Sequence, residues 1–211
     1  LVGSEMCIRD RYITDEGPIL RITAKADDES EVQRQLKIGV DLINRKLSPY
    51  VITTEDIRKE EVLINLLRDR SEKVSTAESI TGGLIASSII DIPGASDVID
   101  QAYVTYADEV KEKILNVSRE TIKEYSVVSE EVLIQMLDGL YERTKANLCL
   151  ATTGYAHTGQ VWIGIMYNGK KYTKLLQLNG DRNRVRLRAK IKIIDTAILV
   201  MRGEYENNIS I

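Results

Sequence analysis

The chain has 211 residues, of which 43% are hydrophobic and 29% charged, and its formal net charge is −3. This composition is ordinary for a globular protein and allows one full domain with a smaller module. The sequence lacks the excess of Lys and Arg that is typical of a nucleic-acid-binding protein. No apolar run reaches the roughly 18 residues that a membrane-spanning helix needs. Two distant cysteines and no evident signal peptide predict a cytoplasmic protein.

The N-terminal quarter predicts a tail and a small module. Residues 1–11 read LVGSEMCIRDR, which resembles a translated sequencing adapter. We leave them out of the fold prediction as a non-native tail, the alternative being a natural disordered N-terminus. Alternating residues at 19–26 predict a half-buried strand, followed by a helix to about residue 46 and a short strand at 50–52. Residues 12–54 are therefore predicted to form a small β-α-β module.

Residues 55–211 alternate between helix and strand patterns and predict a larger domain. Strands are predicted at 74–77, 98–106, 148–152, 161–167 and 171–178, and helices after 53–56, at 83–90, 111–115 and 119–125, from Ser129, and at 181–201. Residues 53–56 fit a capping box, and Ser129 suits a helix cap. Asn168 and Gly169 between two strand patterns predict a tight hairpin. We expect a three-layer α/β/α domain with a mixed sheet.

The residue inventory excludes several common chemistries. His157 is the single histidine, so any Ser-His or Cys-His pair would have to use it. Cys149 lies within an apolar strand pattern, which predicts a buried and inert thiol. The sequence has no cluster of zinc ligands, no Walker A motif and no Gly-x-Gly-x-x-Gly motif, so we expect neither metal nor cofactor. An enzyme of this composition would use a serine or threonine nucleophile with lysine, tyrosine or carboxylate as base.

Five short segments carry a family resemblance when they are taken together. They are AESITGG at 77–83, PGASD at 93–97, VTYADEVK at 104–111, VSEE at 128–131 and GDR at 180–182. In order and spacing they resemble the C-terminal domain of the CinA family, which also occurs alone as a nicotinamide-nucleotide amidase. The resemblance covers about residues 62–201. Residues 19–52 also resemble the small linking module that precedes this domain in full-length members.

The resemblance implies an amidase that converts nicotinamide mononucleotide and water into nicotinic acid mononucleotide and ammonia. Family members use a serine nucleophile supported by lysine and tyrosine, and the residues matched to these roles are Ser96, Lys111 and Tyr106. Ser96 follows a Pro-Gly-Ala turn, where a hydroxyl is exposed. A serine needs an adjacent base, and a lysine can act as one when burial lowers its pKa. The structural alternatives are a turn serine, a solvated lysine and a core tyrosine.

The resemblance also implies a pocket for a small-molecule nucleotide. The expected substrate-binding residues are Glu78, Ser79, Thr81, Gly82, Gly83, Thr105, Gly154 and Arg182. Free amides at a helix start suit a phosphate, so Thr81, Gly82 and Gly83 are expected to cradle one, and Arg182 is expected to pair with it. Glu78 is expected to orient Lys111 or the substrate amide, the alternative being a carboxylate at a helix terminus. Relatives are often dimers, so we expect a homodimer.

Two departures from the family pattern keep other functions open. Ile80 stands where the family has a cysteine. Between Gly154 and Gly159 the chain lacks about ten residues of a Gly/Pro-rich loop, and closing loops often supply substrate positioning and exclude water. A nucleotide-binding module without turnover is therefore the second hypothesis. A DNA-binding competence factor, suggested only by the family's naming, is disfavoured by the acidic balance.

Overall fold

The computed structural model describes residues 6–14, 17–48 and 50–205. The chain divides into two compact units between Asp56 and Ile57, and each is described by itself. Across the described ranges, no helix is long and apolar enough to cross a membrane.

The first unit is a β-hairpin followed by one helix. Strands β1 (Met6–Thr14) and β2 (Gly17–Ala24) pair antiparallel, and helix α1 covers Glu29–Leu47. The strand and helix expected at 19–46 are confirmed, but the strand expected at 50–52 is wrong, because Val51 and Ile52 lie in no strand. The partner of β2 is β1, part of which belongs to the segment set aside as a tail. Residues 1–5 of that expected tail lie outside the described residues.

Up to residue 205, where the described part ends, the second unit contains five strands and the remaining helices. In chain order they are α2 (Lys59–Asp69), β3 (Val74–Glu78), α3 (Leu84–Ile90), β4 (Ile99–Val104), α4 (Asp108–Leu115), α5 (Arg119–Tyr125), α6 (Glu130–Thr144), β5 (Leu148–Tyr155), β6 (Gln160–Tyr167), β7 (Lys170–Gln177) and α7 (Arg182–Arg202). The sheet order is β4-β3-β5-β6-β7. β4, β3 and β5 are parallel, whereas β6 and β7 add antiparallel pairs. The predicted mixed sheet is confirmed.

Local capping decides where several of these helices begin. Ser129 caps α6 by accepting a hydrogen bond from the Val132 amide at 3.2 Å, as predicted. The capping box expected at 53–56 does not start α2. The Thr53 hydroxyl instead accepts from the Glu55 amide within a local turn, and the N-cap of α2 is Arg58.

The helices form a layer on each face of the sheet. α2, α3 and α7 pack together, and α7 packs on the sheet, whereas α4 and α5 pack on α6, which contacts the opposite face. β5 is buried on both faces, and Cys149 packs in the core with residues of α6. The predicted burial of Cys149 is confirmed, and this burial raises the pKa of the Cys149 thiol to about 11. The three-layer α/β/α architecture is confirmed as well.

The tight β6–β7 turn has the expected geometry. Asn168 and Gly169 have φ values of 48° and 81°. Two consecutive positive φ angles define the type I′ turn that matches the twist of paired strands.

Gly139 of α6 permits the closest approach between α6 and the end of α4. A Cβ atom at this position would lie 1.9 Å from the backbone oxygen of Leu115. Alanine at a helix interior gains up to about 1 kcal/mol in propensity, but overpacking against a rigid backbone costs roughly 1–3 kcal/mol. We expect Gly139→Ala to lower the free energy of unfolding, measured by urea denaturation. Glu142→Ala, at an exposed position of α6, should leave it nearly unchanged, and equal effects of the two would contradict the steric argument.

Candidate active site

The carboxyl ends of the three parallel strands meet at one edge of the sheet, around the end of β3. From β3 the chain crosses to β4 on one side, and from β4 it returns to β5 on the other side of β3. Ligands of open α/β sheets bind at such a switch point, outside the carboxyl ends of the strands. We call this edge the carboxyl edge.

Ser79 lies at the centre of the carboxyl edge. It directly follows β3, and its amide donates to the Thr152 oxygen of β5 at 3.0 Å. On the other side, the backbone amide of Thr105 donates to the backbone oxygen of Glu78 at 2.8 Å. Ser79 is 8% exposed, and its hydroxyl makes no hydrogen bond within the described part of the chain. The Ser79 amide is therefore fixed by β5, and the preceding Glu78 carbonyl by the residue that follows β4, while the Ser79 hydroxyl is unengaged.

Threonine hydroxyls surround this position. The Thr81 and Thr152 hydroxyls are hydrogen-bonded to each other at 2.8 Å. Thr105, which follows β4, is fully buried, and among the described residues its hydroxyl has no partner. An unpartnered buried hydroxyl is unusual in a folded protein and is available to a ligand.

Lys111 of α4 brings a buried amine to the same edge. Its side chain is 1% exposed, and Nζ donates to the backbone oxygen of Tyr106 at 3.1 Å. The nearest carboxylate is that of Asp108, whose Oδ1 lies 3.5 Å from Nζ. Burial lowers the pKa of Lys111 below its usual value, and Asp108 offsets part of that effect. The amine therefore reaches its neutral form at lower pH than a solvated lysine does.

Tyr106 and Arg182 meet at the rim of the carboxyl edge. Tyr106 is 61% exposed, and its hydroxyl accepts a hydrogen bond from Arg182 Nη2 at 2.8 Å. Arg182 is the first residue of α7, which is capped by the Asp181 side chain. The structure thus places Thr105, Tyr106, Lys111 and Arg182 at the same edge as Ser79 and Thr81, which were also expected in the site.

Ser96 is not part of this group. It is an exposed residue of the 3₁₀ turn Ala95–Asp97, which precedes β4, whereas Tyr106 and Lys111 follow β4. At about 3.3 Å per residue, the six residues of β4 separate the two ends by about 20 Å. The turn is instead tied to Arg68, which donates to the Pro93 oxygen at 3.0 Å. The expected Ser96–Lys111 pair is therefore not formed.

Within the expected phosphate cradle at Thr81–Gly83, the Gly83 amide is occupied by a side chain of the protein. Glu78 is fully buried, and its carboxylate accepts hydrogen bonds from the amides of Gly83, Ile85 and Ala86 at 2.9, 3.1 and 2.9 Å. Amides at the start of α3 are thus occupied by a side chain of the protein. Glu78 acts as the helix-terminal carboxylate, the structural alternative for this residue, and not as a partner of Lys111. Gly82 and Gly83 have φ values of 58° and 93°, which explains the glycines by backbone conformation.

Gly154 has a packing role in β5. A Cβ atom there would lie 2.9 Å from Ile80 Cδ1 and 2.9 Å from the Gln160 oxygen. Close packing between β5, β6 and Ile80 therefore explains this glycine without a ligand.

The short turn at 156–159 connects β5 to β6 at the carboxyl edge. Among the described residues, no group of three His, Cys, Asp or Glu side chains could hold a metal ion.

Sequence reasoning missed Arg186. Its Nε and Nη2 atoms donate to the backbone oxygens of Ile80 and Thr81 at 3.1 and 3.0 Å. The available clue was its position four residues after Arg182, which places both arginines on one face of a helix. Ser79 was expected only to bind substrate, although its position directly after the central strand already suited a nucleophile.

Comparison with known proteins identifies the family. The sequence profile of the CinA C-terminal domain matches residues 56–199. The chain belongs to the CinA family. Relatives include a CinA-like protein of Kosmotoga olearia, 36% identical over 193 residues, and a putative competence-damage inducible protein of Clostridium beijerinckii, 38% identical over 193 residues. Each match covers 87% of this chain and 47% of the relative, so the chain spans about half the length of these CinA relatives.

Solved structures of the CinA superfamily share the fold. A CinA superfamily protein of Escherichia coli is 29% identical with a TM-score of 0.65, and the match covers 76% of this chain and 98% of that one. A competence/damage inducible protein of Agrobacterium tumefaciens is also 29% identical with a TM-score of 0.65, covering 68% and 93% of the two chains. The expected family and its α/β fold are confirmed.

The three amide contacts of Glu78 make this carboxylate a structural requirement. Hydrogen bonds to a charged group are worth roughly 1.5–3 kcal/mol each, and Glu78→Gln replaces one acceptor oxygen with a donor. We expect this variant to lose about 2 kcal/mol or more of unfolding free energy, measured by urea denaturation. Glu131→Gln is the matched control, since Glu131 is an exposed carboxylate in the first turn of α6. A loss no larger than that of the control would refute the capping role.

Proposed function

We propose that the second unit is an amidohydrolase that converts nicotinamide mononucleotide and water into nicotinic acid mononucleotide and ammonia. Membership of the CinA family and the resemblance to its amidases supply the reaction and the substrate. The observation that carries the proposal is the buried amine of Lys111, held against Tyr106 at the same edge as Ser79. Neither metal nor cofactor is required for this chemistry.

In this proposal Ser79, rather than Ser96, is the nucleophile. Its hydroxyl is unengaged, its amide is bonded to β5, and the preceding Glu78 carbonyl is bonded to the residue after β4. The neighbouring strands lie about 4.8 Å away on each side. This arrangement suits a nucleophile, because the backbone that carries the hydroxyl is fixed before the substrate arrives and the hydroxyl is free to give its proton to a base.

Lys111 is the general base. A protonated ammonium has three donors and no acceptor, but a neutral amine can still donate to the Tyr106 oxygen while its lone pair accepts a proton. The Ser79 proton passes to Nζ as Oγ bonds to the carboxamide carbon. Collapse of this adduct breaks the carbon–nitrogen bond, and the proton leaves with ammonia. Water then attacks the Ser79 ester, releasing the carboxylic acid product and restoring the hydroxyl.

Tyr106 and Arg182 are proposed to orient the substrate and its proton transfers. The Arg182 guanidinium holds the Tyr106 hydroxyl at 2.8 Å and is exposed at the rim, where it can also pair with the 5′-phosphate. The unpartnered Thr105 hydroxyl is a further contact for the substrate. The expected homodimer, the cytoplasmic location and the non-native tail stay predictions.

A binding module without turnover is the second candidate. It is favoured by the short turn at 156–159, which brings little chain to cover the carboxyl edge. It predicts that nicotinamide mononucleotide raises the thermal unfolding temperature while no ammonia is released. Turnover by the wild type that depends on Ser79 would exclude this candidate.

The first test of the amidase compares two serines. We expect Ser79→Ala to lower ammonia release from nicotinamide mononucleotide by on the order of 10³-fold or more, since loss of a nucleophile removes the covalent route. Ser96→Ala should stay within about twofold of the wild type, because Ser96 lies at the opposite end of β4. Wild-type release unaffected by Ser79→Ala would overturn the assignment of the nucleophile, and no wild-type release would overturn the amidase.

The second test is the pH dependence of kcat/KM. Lys111 acts as a base only when neutral, and burial lowers its pKa, so activity should rise with pH through that lowered pKa and be lost as pH falls. Asp108→Asn removes the charge that raises the Lys111 pKa. The acidic limb of the kcat/KM profile, where activity rises with pH, should therefore move to lower pH. Glu109→Gln, an exposed neighbour in the first turn of α4, is the control. A limb that does not move with Asp108→Asn would argue against Lys111 as the base.

A further inference from the structure

Arg186 reaches from α7 to the loop that follows Ser79. Its guanidinium donates to two consecutive backbone oxygens, those of Ile80 and Thr81, at 3.1 and 3.0 Å. Within the described part of the chain, no carboxylate is paired with Arg186, so its charge is directed at these two carbonyls. A planar fork of donors matches two adjacent acceptors, which a lysine ammonium does less well.

The loop is held from its other side by Glu78. That carboxylate binds the amides of Gly83, Ile85 and Ala86, so it holds the end of the loop and the start of α3. A cation from α7 thus binds carbonyls of this segment, and an anion from β3 binds its amides. A Cβ atom at Gly82 would lie 3.1 Å from Arg186 Nη2, so the guanidinium packs directly on the loop backbone.

We propose that Arg186 is a positioning residue that fixes the direction of the Ser79 hydroxyl. This inference rests on the proposed role of Ser79. Arg186 contacts the two residues after Ser79, and Ser79 itself is bonded to β5 only through its amide. Without the guanidinium, the Ile80 oxygen loses its partner and the Thr81 oxygen keeps only the Leu84 amide, at 3.3 Å, so the hydroxyl loses its fixed direction. A misplacement of about 1 Å can cost on the order of 10²-fold in rate.

This role differs measurably from substrate binding and from simple stabilisation. A residue that binds substrate and transition state equally changes KM and leaves kcat unchanged. A residue that only stabilises the fold changes the unfolding temperature without changing kcat of the folded protein. A positioning residue lowers kcat while KM stays similar.

The test uses the full chain with three variants: Arg186→Met, Arg186→Lys and the control Arg184→Met. Arg184 is exposed on the same helix. We expect Arg186→Met to lower kcat for ammonia release by roughly 10- to 100-fold with KM within about twofold. Arg186→Lys should recover part of that loss, because an ammonium can contact at least one carbonyl. The control should match the wild type. An unchanged kcat, or a change in KM alone, would overturn the inference.

A second readout separates this inference from the choice of substrate. A fluorophosphonate reagent labels an activated serine, and intact-mass spectrometry followed by peptide mapping gives the rate at Ser79. Labelling should be slower in Arg186→Met and absent in Ser79→Ala. If the wild type is labelled but releases no ammonia, the substrate proposal fails while the role of Arg186 is still decided by the labelling rates. If the wild type is not labelled, both proposals fail. Circular dichroism checks folding, and Arg186→Lys decides the question if Arg186→Met is unfolded.

Discussion

The buried carboxylate of Glu78 sets the geometry of the carboxyl edge. Helix α3 has seven residues and no side-chain cap at Gly83, so the amides at its start need partners from elsewhere. Glu78 supplies them from the last position of β3, and Thr76 adds a hydroxyl donor at 3.3 Å. A buried charge is costly unless it is hydrogen-bonded, and these donors provide that compensation. Ser79 lies in the short segment between Glu78, the last residue of β3, and the start of α3, and the bonds of Glu78 to the amides of α3 hold the two ends of that segment together.

Helix α7 supplies the opposing positive charge. The side chains of Arg182 and Arg186 extend from the same face of α7. Arg182 donates to the Tyr106 hydroxyl, and Arg186 donates to the backbone after Ser79. The helix is anchored to α2 by the Lys190–Glu60 and Lys59–Asp195 ion pairs, at 2.8 and 2.7 Å. Since the first of these pairs is almost fully buried, breaking it would leave an unpaired charge in the interior. Contacts remote from the carboxyl edge therefore hold both arginines in place.

Strong local patterns predicted most of the fold, and contacts distant in sequence account for the errors. Asn168 with Gly169 and the cap at Ser129 depend on neighbouring residues, so the sequence alone was sufficient for them. The strand expected at 50–52 rested on a short apolar run, and such runs are ambiguous. Ser96 was chosen by motif order, which carries no information about the edge of the sheet at which a turn lies. The strand between Ser96 and Tyr106 separates them, and the strand predicted at 98–106 already implied this separation.

Lys111 is the residue that distinguishes the amidase from the binding module. The turn at 156–159 is tied towards β7, since the Leu178 amide donates to the Gly159 oxygen at 2.8 Å and Gln177 Nε2 donates to the Thr158 oxygen at 2.6 Å. A module that only binds a nucleotide gains nothing from an amine whose charged form is disfavoured by burial. The proposed hydrolase uses such an amine as its general base, so the burial of Lys111 is an argument for the amidase despite the short turn.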